Sequence, residues 1–270
     1  MMIANEGPWN MTPMMKKLTG AGAAVLLMLA LPVAAQESAT QQFSAPQKSE
    51  IERIIKDYIV SHPEVLQEAI AELDKRQAVA DLEKAKNAVS NNAEAIFNSN
   101  RHVVLGNLKG DVTMVEFFDY NCGFCKRAMA DMMELLKDDP KLRIILKEFP
   151  VLGPGSVEAA KVAVAVRMQD KTGKKYLDFH QKLLGGRGQA DKARALAVAK
   201  EVGMDMKRID ADLASDEVKV SLEESLKLAE TLGLNGTPSY IVGTDVVIGA
   251  VGLDQLRTKV STARCGKAVC

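Results

Sequence analysis

The sequence predicts an α/β domain whose second half is interrupted by a run of helices. Three observations predict it. Apolar β-like runs alternate with helical stretches in the order β-β-α-β, helices, β-β-α. The run Leu142–Phe149 is apolar enough for a buried strand. The composition, 47% apolar and 26% charged, is that of a globular chain with a core to bury.

The 270 residues suffice for one large domain or two small ones. Lys+Arg and Asp+Glu both number 35, so the chain lacks the basic surplus of a dedicated nucleic-acid binder. Four cysteines are too few for a disulfide scaffold but enough for a redox or metal site. The three histidines, His62, His102 and His180, are scattered, and no pair has zinc-motif spacing.

Lys16 and Lys17 precede an apolar stretch, Leu18–Ala35, that closes on the small residues Val33-Ala34-Ala35. This is the pattern of a cleavable secretory signal over residues 1–35, with Gln36 as the first mature residue. The run Ala21–Ala35 has 15 residues, short of the roughly 20 that a spanning helix needs. Residues 1–13 add nothing recognisable, and Met14 or Met15 fits better as the start. Removal of residues 1–35 takes away Lys16, Lys17 and Glu6, so the mature chain carries −1. Export to the periplasm puts the cysteines where disulfides form and persist.

Residues 36–48 are polar and read as a linker. From Ser49, Ile51, Ile54, Ile55, Tyr58 and Ile59 recur at helical spacing. Ser61 and Glu64 have capping-box spacing, and Pro63 fits a first helical turn. Val65, Leu66, Ala69, Ile70 and Leu73 continue a narrow apolar stripe, which thins to Val79, Leu82 and Val89. A long helix with so thin a stripe packs on the next domain or on copies of itself. Residues 49–100 are therefore expected to be a helical stalk for self-association, with a polar pivot around Asn91-Asn92 and Asn98-Ser99-Asn100.

The α/β domain is expected over residues 101–262, with the helical insertion at about 156–232. Its strands are Val103–Leu105, Val112–Phe118, Leu142–Phe149, Ser239–Val242 and Val246–Ile248, and a helix from Leu253 closes it. Residues 263–270 form a tail in which Cys265 and Cys270 are expected to pair, because Gly266 permits the turn. A redox site or a metal pair there lacks a strand–helix setting. Met129, Met132 and Met133 on the helix after the first cysteines read as core, with a soft-metal site as the alternative.

The chemistry lies in Cys122-Gly123-Phe124-Cys125, which opens a helix straight after the strand Val115–Phe118. Thiols at i and i+3 on a first helical turn are close enough to bridge. At the helix N-terminus, free N–H groups and the macrodipole favour the thiolate of Cys122, the species that attacks disulfides. Cys125, one turn on, can resolve the mixed disulfide, with no cofactor beyond the redox-active pair itself. The same two thiolates could instead hold Cu(I), which leaves a copper-binding protein open.

Val115-Glu116-Phe117-Phe118-Asp119-Tyr120-Asn121-Cys122-Gly123-Phe124-Cys125, then Lys147-Glu148-Phe149-Pro150-Val151-Leu152-Gly153-Pro154, then Gly236-Thr237-Pro238 occur in order. With these three motifs the chain resembles the DsbA family of thioredoxin-fold disulfide oxidoreductases, most closely its ScsC/BdbD-like branch (ScsC is the suppressor of copper sensitivity protein C). The likeness spans about Val103 to Val260. It implies Cys122 as nucleophile, Cys125 as resolving thiol and a cis Pro238, with Thr237 presenting backbone to substrate. It implies Glu116 as a buried acid beneath the cysteines that relays a proton to or from Cys125. The family's strongest oxidases carry Pro-His between the cysteines where this chain has Gly123-Phe124, which implies a less oxidising site. Phe124 is then an apolar contact for unfolded substrates, or a cap on a local hydrophobic cluster. The resemblance further implies an isomerase or reductase role on misdisulfided exported proteins, copper tolerance and a membrane redox partner. A homo-oligomer is implied too, trimer before dimer. A dithiol oxidase is the alternative within the family.

Overall fold

The computed structural model describes residues 43–270. The signal segment 1–35 and most of the linker lie outside the described residues. The chain divides into two units after Ser61.

Among the described residues the first unit holds helix α1, Ala45–Ser61. The helix begins at Ala45 rather than at Ser49, and the Gln47 side chain reaches back over the first turn to Ser44. The Ser44 hydroxyl and backbone N–H both donate to Gln47 Oε1, each at 2.9 Å. Ile51, Ile54, Ile55, Tyr58 and Ile59 are all exposed along α1.

The second unit opens with α2, Pro63–Asn91. No capping box forms at Ser61 and Glu64. Pro63 sits in the first turn as expected, but the N-cap is His62, without a side-chain cap, and Ser61 is still the last residue of α1. Proline disfavours a helical residue before it, so His62 takes the break, at φ −130° and ψ 67°. The stripe Val65, Leu66, Ile70, Leu73, Val79 and Leu82 is exposed, and burial starts only at Val89.

The segment after α2 is no pivot. It winds into one π-helical turn, Glu94–Asn98, whose Ile96 is fully buried. Lys147 Nζ donates to the Ala95 carbonyl at 2.9 Å and Arg143 Nη2 to the Phe97 carbonyl at 2.9 Å. Arg167 Nη1 donates to the Asn100 carbonyl at 2.7 Å. Ser99 bonds to Glu224, and Arg101 pairs with Glu217 and Glu224 at 3.2 and 3.1 Å. The packed domain therefore reaches back to Val89 rather than beginning at residue 101.

Among the described residues five strands follow the order β1-β3-β2-β4-β5: β1 Val103–Gly106, β2 Val112–Phe118, β3 Leu142–Glu148, β4 Ser239–Val242 and β5 Asp245–Ile248. Although one short turn joins β1 and β2, they do not pair; β1 lies antiparallel to β3 at the edge. β2 and β3 are parallel, and β4 is antiparallel to both β2 and β5.

Helix α3, Gly123–Asp138, crosses from β2 to β3, and α9, Leu253–Cys265, closes the chain against it. The insertion comprises α4 Pro154–Gln169, α5 Lys174–Gly185, α6 Lys192–Glu201, α7 Met206–Leu213 and α8 Asp216–Thr231. Period-2 alternation splits the core between the two sheet faces. Met114, Phe118, Ile144 and Tyr240 pack with Met132, Leu135, Leu256 and Val260. On the other face Val115, Phe117, Ile145 and Ile241 meet Val89, Ile96, Leu228 and Leu232. Met132 is buried, and Met129 and Met133 pack against the first cluster. α9 runs into the proposed tail as far as Cys265, with Gly266 in the left-handed region at φ 76°. Cys265 and Cys270 form a disulfide.

Candidate active site

Cys122 is the N-cap of α3, so its sulfur faces the first-turn N–H groups. The Cys125 N–H donates to Cys122 Sγ at 3.4 Å, and Cys122 Sγ–H donates to the Thr237 carbonyl at 3.2 Å. The Thr237–Pro238 peptide is cis. The loop is tied down on the far side, where Gly249 N–H donates to the Pro238 carbonyl at 2.8 Å. Cys122 is 7% exposed and Cys125 0%. Burial pushes the Cys125 thiol well up; a backbone hydrogen bond from Asp119 acts the other way.

Glu116 leaves β2 on the α3 side of the sheet and is 2% exposed. Burial first, and the charge of Asp131 second, push its carboxyl up to about 8. Asp131, on the flank of α3, is itself raised by burial and by Asp254 of α9. A second buried carboxyl, Glu148, is also pushed up to about 8 by burial, against the hydrogen bond of 2.5 Å that Tyr176 donates to it.

Phe124 is 57% exposed, with the Arg127 guanidinium 4.3 Å from its ring centroid. It caps no buried cluster. Val151 and Leu152 are exposed too, and their backbone is held by Asp119. Its Oδ2 accepts from the N–H groups of Val151 and Leu152 at 2.8 and 2.9 Å. Its Oδ1 accepts from Asn121 N–H and Ser156 Oγ, both at 2.7 Å. Asn121 in turn bonds to Ser156 Oγ at 2.9 Å and to the Ala190 backbone at 2.9 and 2.7 Å. Asp119 and Asn121 thus lock the active-site turn to the loop after β3 and to the insertion.

The fold brings together Cys122, Cys125, Glu116, Thr237 and Pro238, and leaves Phe124 at the rim. Cys265 and Cys270 sit apart, at the end of α9 where Arg264 pairs with Asp111 and Asp139, each at 2.8 Å. Asp119 and Asn121 are additions: the sequence places them in the turn before Cys122 but assigns them no role. Among the described residues no group of three or more His, Cys, Asp or Glu is placed to hold a metal ion.

Residues 113–261 match the DSBA-like thioredoxin domain model, over half of the chain. The chain belongs to the DSBA-like thioredoxin family. Residues 47–80 match the N-terminal domain of the copper resistance protein ScsC. A thioredoxin-like oxidoreductase from Silicibacter pomeroyi is 44% identical, covering 63% of this chain and 96% of that one, with TM-score 0.60. The thiol-disulfide exchange protein alpha-DsbA2 of Wolbachia pipientis is 33% identical over 67% and 97%, with TM-score 0.62. ScsC of Proteus mirabilis, in a transitional conformation, is 29% identical over 83% and 98%, with TM-score 0.61. Among curated relatives, a Na(+)/H(+) antiporter of Salinispora arenicola is 27% identical over 62% of this chain. The chain spans about a quarter (25%) of that relative's length, so the likeness to the antiporter is confined to one part of it.

Proposed function

We propose that this DSBA-like chain is a thiol–disulfide oxidoreductase of the periplasm, acting as an isomerase or reductase on misdisulfided exported proteins. The observation that carries the reading is Cys122 itself. It caps a helix, takes the Cys125 N–H at 3.4 Å and lies against the Thr237 carbonyl before a cis-proline, while Cys125 is sealed beneath it.

The Cys122 thiolate attacks one sulfur of a substrate disulfide. A Cys122–substrate bond forms, and the other substrate sulfur leaves as thiolate. The mixed disulfide then has two exits. A substrate thiolate can attack it and return Cys122 to the free thiolate, which is isomerisation. Alternatively, the Cys125 thiol gives its proton to the Glu116 carboxylate and attacks Cys122 Sγ, which releases reduced substrate and leaves the Cys122–Cys125 disulfide. A membrane redox partner would restore the dithiol. The backbone of Thr237 aligns the substrate, and Phe124, Val151 and Leu152 give it an apolar landing. Periplasmic placement rests on the signal-like residues 1–35 and agrees with a Cys265–Cys270 disulfide, which an oxidising compartment preserves.

The exposed stripes of α1 and α2 support self-association, trimer before dimer, with several dithiols facing one substrate. The match of residues 47–80 to the ScsC N-terminal domain supports a role in copper tolerance. Refolding of scrambled ribonuclease by chelator-treated protein tests the activity. Isomerase action restores ribonuclease activity without metal. A requirement for copper would favour the Cu(I)-binding reading, and oxidation of dithiols without reshuffling would favour an oxidase.

A further inference from the structure

Tyr240 is the second residue of β4 and stands opposite Glu116 in the antiparallel β2–β4 ladder. Directly opposed residues project from the same face of a sheet, so both side chains enter the layer under α3. Tyr240 is 1% exposed, yet its hydroxyl is buried with no hydrogen-bond partner among the described residues. Such a group is costly, and phenylalanine would fill the same space without that cost. An orphaned hydroxyl beside the reacting groups therefore calls for a use. Burial holds the Tyr240 phenol in its neutral, donating form, and the charges of Glu116, Cys125, Asp131 and Cys122 all bear on it.

We propose that the Tyr240 hydroxyl donates a hydrogen bond to the Glu116 carboxylate while Glu116 is without its proton, making Tyr240 a positioning residue for the Cys125 step. This rests on the dithiol reading above. When a substrate thiolate attacks Cys122 Sγ of the oxidised pair, the Cys122–Cys125 bond breaks and its electron pair goes to Cys125. Glu116 supplies the proton and is left as a buried anion. In reverse, that anion takes the Cys125 proton as Cys125 attacks the mixed disulfide. In both directions an anionic carboxylate exists only transiently, and a hydroxyl with no fixed partner is free to turn to it.

The other groups facing this layer are accounted for. α3 contributes Cys122, Cys125 and Asp131. The β3 neighbour of Glu116 is Leu146, which carries no charge. On α9, Asp254 bears on Asp131, Arg257 pairs with Asp138, and Lys259 pairs with Asp245 at 2.7 Å. None of these offers Glu116 a neutral donor.

The test uses the full mature chain with Tyr240→Phe, Glu116→Gln and the double variant. The rate at which a preformed Cys122–peptide disulfide resolves is followed across about pH 5 to 10. Tyr240→Phe is expected to slow resolution about tenfold and to move the midpoint of the rising limb up by about one unit, because the carboxylate loses a donor. On the Glu116→Gln background, Tyr240→Phe is expected to add nothing further. Urea unfolding is expected to show Tyr240→Phe at least as stable as the parent. Parent-like rates and midpoint, equal losses on both backgrounds, or a destabilised Tyr240→Phe protein would each overturn the proposal. If the parent itself fails to resolve the mixed disulfide, the dithiol reading falls instead.

Discussion

Cys122 and Cys125 differ in the two properties that decide which thiol meets substrate. Cys122 borders solvent and accepts an N–H, whereas Cys125 is sealed and its thiol is pushed up by burial. Iodoacetamide near neutral pH is therefore expected to modify Cys122 first, and Cys125→Ala to accumulate mixed disulfides. Preferential modification of Cys125 would contradict that order. Glu116→Gln is expected to slow the Cys125 step about a hundredfold. It should also change stability with a definite sign. The folded carboxyl titrates at about 8 instead of 4.5. Its contribution is fully present below pH 4.5 and is lost as pH rises through about 8. Glu116→Gln should then gain on the parent over that window, by on the order of a few kcal/mol at the alkaline end, as urea unfolding at several pH values would register. The paired thiols were legible because their chemistry restricts residue type and spacing; Glu116 came only through the family resemblance, and its apolar neighbours agree with its burial. Asp119 was not legible. In Asp119-Tyr120-Asn121 it reads as turn, and the partners that give it meaning, Val151, Leu152 and Ser156, lie 32 to 37 residues on.

Among the elements, the strands were legible from apolar runs, but their order was not, since nothing local tells β1 to pair with β3 across the sheet instead of with β2 beside it in sequence. Helix ends depended on caps that compete. Gln47 reached back to the Ser44 N–H, whereas Ser61 and Glu64 formed no box, because Pro63 set the break at His62. The polar residues 91–100 looked mobile because their partners are side chains of β3, α4 and α8. Two expectations belong here. Amides of residues 95–99 should exchange as slowly as those of β3; rapid exchange would restore the pivot to that segment. Asp119→Ala should cost about 2–4 kcal/mol in urea unfolding by leaving the Val151 and Leu152 N–H groups unpaired, and should weaken substrate capture by freeing that loop.

For the whole molecule, the exposed stripes set the expectation. Ile51, Ile54 and Ile55 on α1, and Leu66, Ile70 and Leu73 on α2, leave an apolar series in water that a second and third copy could cover. Equilibrium sedimentation of the mature chain should give a trimer, and Ile54→Glu with Leu66→Glu should give a monomer that keeps dithiol exchange and loses reshuffling. A deletion ending at residue 100 is a poor test, since it removes Val89 and Ile96 from the core along with the bonds of residues 95–100. That the chain is a dithiol enzyme at all is tested most directly by one assay. Chelator-treated parent, Cys122→Ser and Cys125→Ala proteins are each incubated with scrambled ribonuclease, and ribonuclease activity and covalent complexes are read together. The expected result is recovery with the parent, none with Cys122→Ser, and complexes trapped with Cys125→Ala. Recovery with Cys122→Ser equal to the parent, or recovery only after copper is restored, would contradict it.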